Sequence, residues 1–416
     1  MEINKNAVIA RNFHPNTGTM QNRMTRLNDQ FEQIRQSATV ALADRVLALK
    51  ASGRQVIGLQ VGDPDFATPP AVIEAAARAL REGQTHYASS RGDPRLLMAA
   101  SAKLLRDENV TRAAETELLV THGGIHAYYV GLQSILNPGD EVLIPDPSWA
   151  THSNMAIMLR GVAVRVPAPA ERGFIPALEA WERALTPRTR VIVINYPSNP
   201  TGAYPDRAYL QALYQFAQAH DLWIVSDEVY GSLHFGERPA SMGAFEPIGE
   251  RTLLVHSLSK SYAMTGWRVG FLAAPRPVIE NALKAGQNSI TCVAPFVQQA
   301  AAFALSDPSM QEVTAQMRAA YARRRSLVMR LAAERESDRL RVIPPQGAFY
   351  FFLDFRALKM PSLEICRRLL DEAGVALVPG SAFGGQGEGF ARLCIAASDA
   401  EVEAGLRAIF NWVEQI

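Results

Sequence analysis

Short runs of apolar, often β-branched residues alternate along the chain with stretches whose apolar positions recur at helical spacing. From Phe31 to Leu49 the residues Ile34, Ala38, Leu42, Val46 and Leu49 follow the 3.6-residue period and stop before Gly53, which predicts a helix ahead of the main body. Strands are then predicted from Val56 to Val61, Leu118 to Thr121, Val142 to Ile144, Val162 to Val166, Val191 to Asn195, Trp223 to Ser226, Thr252 to His256 and Val269 to Ala273. Helices fall between them, among them one from Pro70 to Glu82, one from Ile125 and one from Asp206. This βαβα order predicts an α/β fold with a mostly parallel central sheet flanked by helices.

Beyond about residue 290 the rhythm changes. Long helices are predicted from Pro295 to Leu305 and from Pro308 to Glu336, followed by apolar runs at Ala348 to Phe355 and Ala391 to Ile395, each with a helix after it. This predicts a smaller α+β domain. The expected organisation is a polar arm over 1–30, a segment over 31–60 packing on the small domain, a large domain over 61–295 and a small domain over 296–416.

Composition narrows the function classes. The 416 residues carry 42 Lys plus Arg against 41 Asp plus Glu, a formal charge of +1, which leaves no global footprint for nucleic acid or an anionic membrane. The densest basic run, Arg323-Arg324-Arg325, reads as a solvated helix face. No apolar stretch reaches the roughly 18 residues of a membrane span. The N-terminal apolar run from Ala7 to Ala10 is too short for a signal-peptide core. Three scattered cysteines without a C-x-x-C spacing fit a reducing compartment, so the cytoplasm is expected.

In open α/β sheets, ligand-binding groups gather at the carboxyl ends of strands. Four such ends carry unusual polar residues: Thr121-His122-Gly123-Gly124, Tyr196 to Gly202 with Asn199 in it, Ser226-Asp227-Glu228-Val229-Tyr230, and Ser257-Leu258-Ser259-Lys260 continuing to Arg268. In this order and spacing, from about Arg35 to the C-terminus, the chain resembles the class I/II aminotransferases of the fold type I pyridoxal-phosphate enzymes, bacterial aspartate and broad-specificity branch.

The resemblance implies pyridoxal 5'-phosphate as cofactor and Lys260 as the lysine that carries it as a Schiff base. That chemistry needs an amine partly neutral near pH 7, which desolvation favours. By the same resemblance Asp227 pairs with the pyridine nitrogen, Tyr230 and Asn199 hydrogen-bond the ring oxygen, and Trp149 stacks on the ring with His152 behind it. Arg268, Ser257, Ser259 and the Gly123-Gly124 turn would hold the phosphate, the arginine through its planar fork and the turn through the N-terminus of a helix. Arg392 would grip the substrate α-carboxylate, with Gly62 lying over it. Tyr87 matches a tyrosine donated to the neighbouring subunit's phosphate, which implies a homodimer with shared active sites. The implied reaction moves the amino group of an L-amino acid to a 2-oxo acid by a ping-pong mechanism.

Other signals compete. A β- or γ-lyase or an amino-acid oxidase would use the same Lys, Asp and Arg set, and a pyridoxal-phosphate-binding sensor would bind without turnover. Ser257 to Lys260 also fits the S-x-x-K of serine β-lactamases, yet Ser-Asp-Asn and Lys-Thr-Gly are both missing. His122 and His126 stand at metal-ligand spacing, but helix-start packing is the expected use, and no metal is expected. The Gly384 to Gly389 stretch lacks a preceding strand and reads as a mobile loop. A second substrate carboxylate would need a cation; Gln287 to Thr291 has none, and Lys103 or Arg91 are candidates to reach the site.

Overall fold

Seven strands form the central sheet, in the spatial order Leu118–Thr121, Gly270–Ala273, Thr252–Ser257, Trp223–Asp227, Thr189–Asn195, Glu141–Asp146, Val162–Pro167. The computed structural model describes residues 27–34, 38–245, 251–335 and 337–416, so residues 1–26 of the expected arm lie outside the described residues. The sheet is parallel except for Gly270–Ala273, which runs antiparallel to both neighbours. It follows Thr252–Ser257 through residues 258–269, the segment that carries Lys260 and Arg268. The five inner strands are buried along almost their whole length, as a sheet covered on both faces requires.

Helices absent from the sequence reading also cover this sheet or its surroundings, the longer ones being Pro94–Glu108, Ala150–Met158 and Arg276–Ser289. Helix Pro295–Ser306 packs on Pro70–Arg81 and Pro94–Glu108, and its Val297, Ala300, Ala301 and Ala304 belong to the larger core.

A second sheet has four antiparallel strands in the order Val378–Pro379, Phe390–Cys394, Tyr350–Asp354, Arg341–Ile343. Helices Ser309–Glu334, Ser362–Glu372 and Asp399–Gln415 accompany it, and a separate core of Phe349, Phe351, Leu393, Leu406 and their neighbours lies between. The predicted strand from Val56 to Val61 shrinks to Ile57–Gly58, which pairs in parallel with Val375–Ala376. Of the predicted helix from Phe31, the described residues show α-helix over Ala38–Ala51, with Asp29–Gln33 forming a separate 3-10 turn.

Two surface expectations are corrected. Successive residues of a helix are about 100° apart, so a run of three arginines spans about 200° and cannot lie on one face. Arg323 faces solvent, but Arg324 is 6% exposed and grips Asp65 through two bonds of 2.7 and 2.8 Å and Asp399 at 2.8 Å. The glycine-rich stretch is docked rather than free. Both carboxylate oxygens of Asp146 accept from it, one from the Gly385 N–H at 3.0 Å and the other from the Gln386 N–H at 3.2 Å.

Candidate active site

The carboxyl ends of the parallel strands open into one cavity of about 320 Å³, lined by Gly62, Gly124, Trp149, Asn199, Asp227, Tyr230, Ser257, Ser259, Lys260, Arg268 and Arg392. Eleven of the thirteen residues singled out in the sequence therefore share one space. Gly123 stands just outside, at a positive φ of 74° that a glycine accepts without strain. A Cβ there would come within 2.7 Å of Arg268 Nη2, so the residue type is what lets the guanidinium approach this helix start. Tyr87 is not brought in: its side chain is 88% exposed on this subunit's surface.

Neighbouring strand ends are tied together by Asn195. Its Nδ2 donates to the Asp227 carbonyl at 2.9 Å, and its Oδ1 accepts from the Asn199 N–H at 2.9 Å. The Asp227 carboxylate is buried, with Oδ2 3.0 Å from His152 Nε2. His152 is also edge-on to Trp149, with ring centroids 5.4 Å apart, so one imidazole orients both the carboxylate and the indole.

Ser257 ends its strand and caps the short Leu258–Ser261 helix, accepting from the Ser259 N–H at 3.1 Å. That turn points Lys260 across the cavity, where Nζ donates to the Gly62 carbonyl at 2.6 Å. Burial lowers the Lys260 pKa below the ordinary lysine value; the Asp63 charge opposes the shift without cancelling it. An amine held this way reaches its nucleophilic neutral form more readily than a surface lysine. Arg268 sits at φ 53°, a left-handed conformation uncommon outside glycine, and donates to the Thr265 carbonyl at 2.7 Å.

Arg392 enters from the second sheet. It is buried, donates to Asn199 Oδ1 at 2.8 Å and to the Gln60 carbonyl at 2.7 Å, and leaves Nε without a hydrogen-bond partner. A buried guanidinium N–H without an acceptor is costly, so the site holds this arginine at the expense of one unmet donor.

Several contributors were missed by sequence reasoning. Asn195 acts through a contact across 32 residues and Tyr350, 2.9 Å from the Tyr230 hydroxyl, across 120, while His152, expected behind Trp149, also meets Asp227 across 75 residues, a contact the sequence did not show. Only the strand-end position of Asn195 hinted at its use. Neither extra cation reaches the site: Lys103 is buried against Glu108 at 2.7 Å, and Arg91 donates to the Leu118 carbonyl.

A sequence model of the family described as aminotransferase class I and II matches residues 54–409. A probable aspartate/prephenate aminotransferase of Aquifex aeolicus is 36% identical over 397 residues, covering 94% of this chain and 99% of its own. The aspartate/prephenate aminotransferase of Thermus thermophilus is 38% identical over 384 residues, covering 92% and 97%. A solved structure of Thermus thermophilus aspartate aminotransferase with maleate shares the fold at a TM-score of 0.89 and 36% identity, over 93% of this chain and all of that one. No described helix is long and apolar enough to cross a membrane. With the match spanning most of both chains and a lysine, an aspartate and two arginines lining one cavity, the chain belongs to the class I and II aminotransferases, a family of pyridoxal-phosphate enzymes.

Proposed function

We propose that this aminotransferase binds pyridoxal phosphate in the cavity around Lys260 and exchanges amino groups between L-amino acids and 2-oxo acids in two half-reactions. The observation that carries the reading is the convergence of Lys260, Asp227, Arg268 and Arg392 on a single cavity. The donor set fits the cofactor: a buried amine, a buried carboxylate, and an arginine beside two serines and a helix N-terminus. A Cβ at Gly124 would lie 2.9 Å from Val229 Cγ1 and 3.4 Å from Ser257 Cβ, so the glycine keeps this cradle open.

When bound, the cofactor supplies a carbonyl that takes up the amino group and a ring that accepts electrons. Asp227 would hold a proton on the ring nitrogen, with His152 fixing the position of that carboxylate. Arg268, Ser257, Ser259 and the Gly123–Gln133 helix start bind the phosphate. Trp149 would offer an aromatic face for the ring, and Tyr230 and Asn199 would supply hydrogen-bond donors for its oxygen. Arg392 orients the substrate through its α-carboxylate under the backbone of Gly62. Lys260 would hold the cofactor through its amine and would serve as the base and acid that moves the substrate α-proton.

The same reading includes a homodimer in which Tyr87 of each subunit reaches the phosphate of the other, and a cytoplasmic location. The exposure of Tyr87 supports a role outside its own subunit's cavity.

The test is a spectral titration of protein loaded with pyridoxal phosphate against a panel of L-amino acids, without a 2-oxo acid. The panel spans aspartate and the aromatic amino acids, with neutral aliphatic ones beside them. One equivalent of 2-oxo acid and a stable aminated cofactor are expected. Continuing ammonia release or oxygen uptake would refute transamination.

A further inference from the structure

Tyr350 opens the Tyr350–Asp354 strand beside the cavity. Phe352 lies opposite Arg392 in the cross-strand register, so Tyr350, two residues earlier, projects from the same sheet face as that arginine. Three contacts converge on this one side chain. Its hydroxyl is 2.9 Å from the Tyr230 hydroxyl, and the Arg392 guanidinium carbon is 4.4 Å from its ring centroid. Its hydroxyl also fills the place a Cβ at position 62 would take, beside the carbonyl that holds Lys260.

We propose that Tyr350 is a positioning residue for transamination, aiming the Tyr230 hydroxyl at the ring oxygen of the cofactor and holding the Arg392 guanidinium flat for the substrate carboxylate. The inference rests on the cofactor placement argued above.

A phenol carries a single proton. If Tyr230 donates its proton to the ring oxygen, its own oxygen is left to accept, and the Tyr350 hydroxyl is the donor in reach. Linked hydrogen bonds polarise one another, so this second donation makes Tyr230 the stronger donor. Both phenols are buried, and burial raises both hydroxyls above the ordinary tyrosine value, so each remains a neutral donor at working pH. The charged and titratable groups that bear on Tyr350 are Arg392 and Cys394 from the adjacent strand, Asp63 from the Gly62 segment, and Tyr230. The aromatic ring acts separately. A guanidinium over a π face is attracted to it, which restrains Arg392 without using its hydrogen-bond donors.

Two substitutions separate the parts: Y350F removes the hydroxyl and keeps the ring, and Y350L removes both. The first readout is the pH midpoint of the visible band of the pyridoxal-phosphate-loaded protein without substrate. The second is the dissociation constant of 3-phenylpropionate, a carboxylate lacking an amino group, read from the same band. Y350F is expected to raise the midpoint by about 0.4 to 1 unit, the equivalent of one net hydrogen bond, because a weaker Tyr230 donor leaves more negative charge beside the titrating proton. It should leave the carboxylate constant within about twofold, whereas Y350L should raise the midpoint and also weaken the carboxylate roughly fivefold.

In a Y230F background, Y350F should add nothing to the midpoint, since its effect runs through Tyr230. A merely structural role would not vanish there. An unshifted midpoint in Y350F, or a shift that persists in the Y230F background, overturns the proposal while the cofactor placement stands. A wild-type protein that shows no band after loading overturns both.

Discussion

His152 Nε2 lies 3.0 Å from Asp227 Oδ2, and both side chains are buried. The pair joins the start of the Ala150–Met158 helix to the end of the Trp223–Asp227 strand, and Asp227 is the member that lines the cavity. Asp227→Asn keeps the volume and removes the charge. The expected result is a kcat lower by about 10²- to 10³-fold at saturating cofactor, the usual cost of deleting a preorganised electrostatic partner. His152→Ala should lose less, roughly tenfold, because the carboxylate itself survives. Steady-state kinetics of both variants decide it.

Lys260 supplies a stability prediction with a definite sign. Burial lowers its folded-state pKa below 10.5, so protonating it costs the cofactor-free fold. Between the folded and unfolded values the unfolded chain binds more protons, and stability rises with pH through that window. Cofactor-free Lys260→Met should therefore melt higher than cofactor-free wild type at neutral pH, with the gap closing toward pH 10.5. A gap that widens with pH would contradict the burial argument. The same variant should lose multiple turnover by roughly 10⁴-fold.

Arg392 donates to Asn199 Oδ1 and to the Gln60 carbonyl, leaving Nε without a partner. Arg392→Lys replaces a planar fork by a point charge. A fall in kcat/KM of roughly 30-fold is expected, carried mostly by KM, with the visible band of the loaded protein unchanged, for the loss of one charged hydrogen bond. An unchanged kcat/KM would remove Arg392 from substrate binding.

Arg324 reaches both the segment after Gly62 and the start of the last helix. Arg324→Ala should destabilise the protein by about 2 to 3 kcal/mol, below the full value for a buried pair because Asp399 is half-exposed. Arg323→Ala, one residue away and exposed, should change stability by under about 0.5 kcal/mol. Denaturant midpoints of the two variants make the comparison directly.

Much of the site was legible because its chemistry lies in contiguous runs at strand ends. Asp227 and Tyr230 share one five-residue segment, and Ser257, Ser259, Lys260 and Arg268 share one of twelve residues. The docked glycine stretch was misread as mobile because its anchor, Asp146, is more than 230 residues earlier in the chain. Helices Ala150–Met158 and Arg276–Ser289 escaped for a different reason. The first carries buried residues without a clean apolar stripe, and the second is polar over much of its surface.

The sequence by itself determined the alternation of strands and helices, the change of architecture beyond residue 290, and the chemical character of the strand ends. These depend on local periodicity and neighbouring residues. Only the tertiary structure decided which arginine of the 323–325 run turns inward, that Asn195 and His152 brace the Asp227 strand end, and that Tyr350 meets both Tyr230 and Arg392. Each of those outcomes depends on the distance between segments far apart in the chain, and that distance is set by how the two sheets and their helices pack.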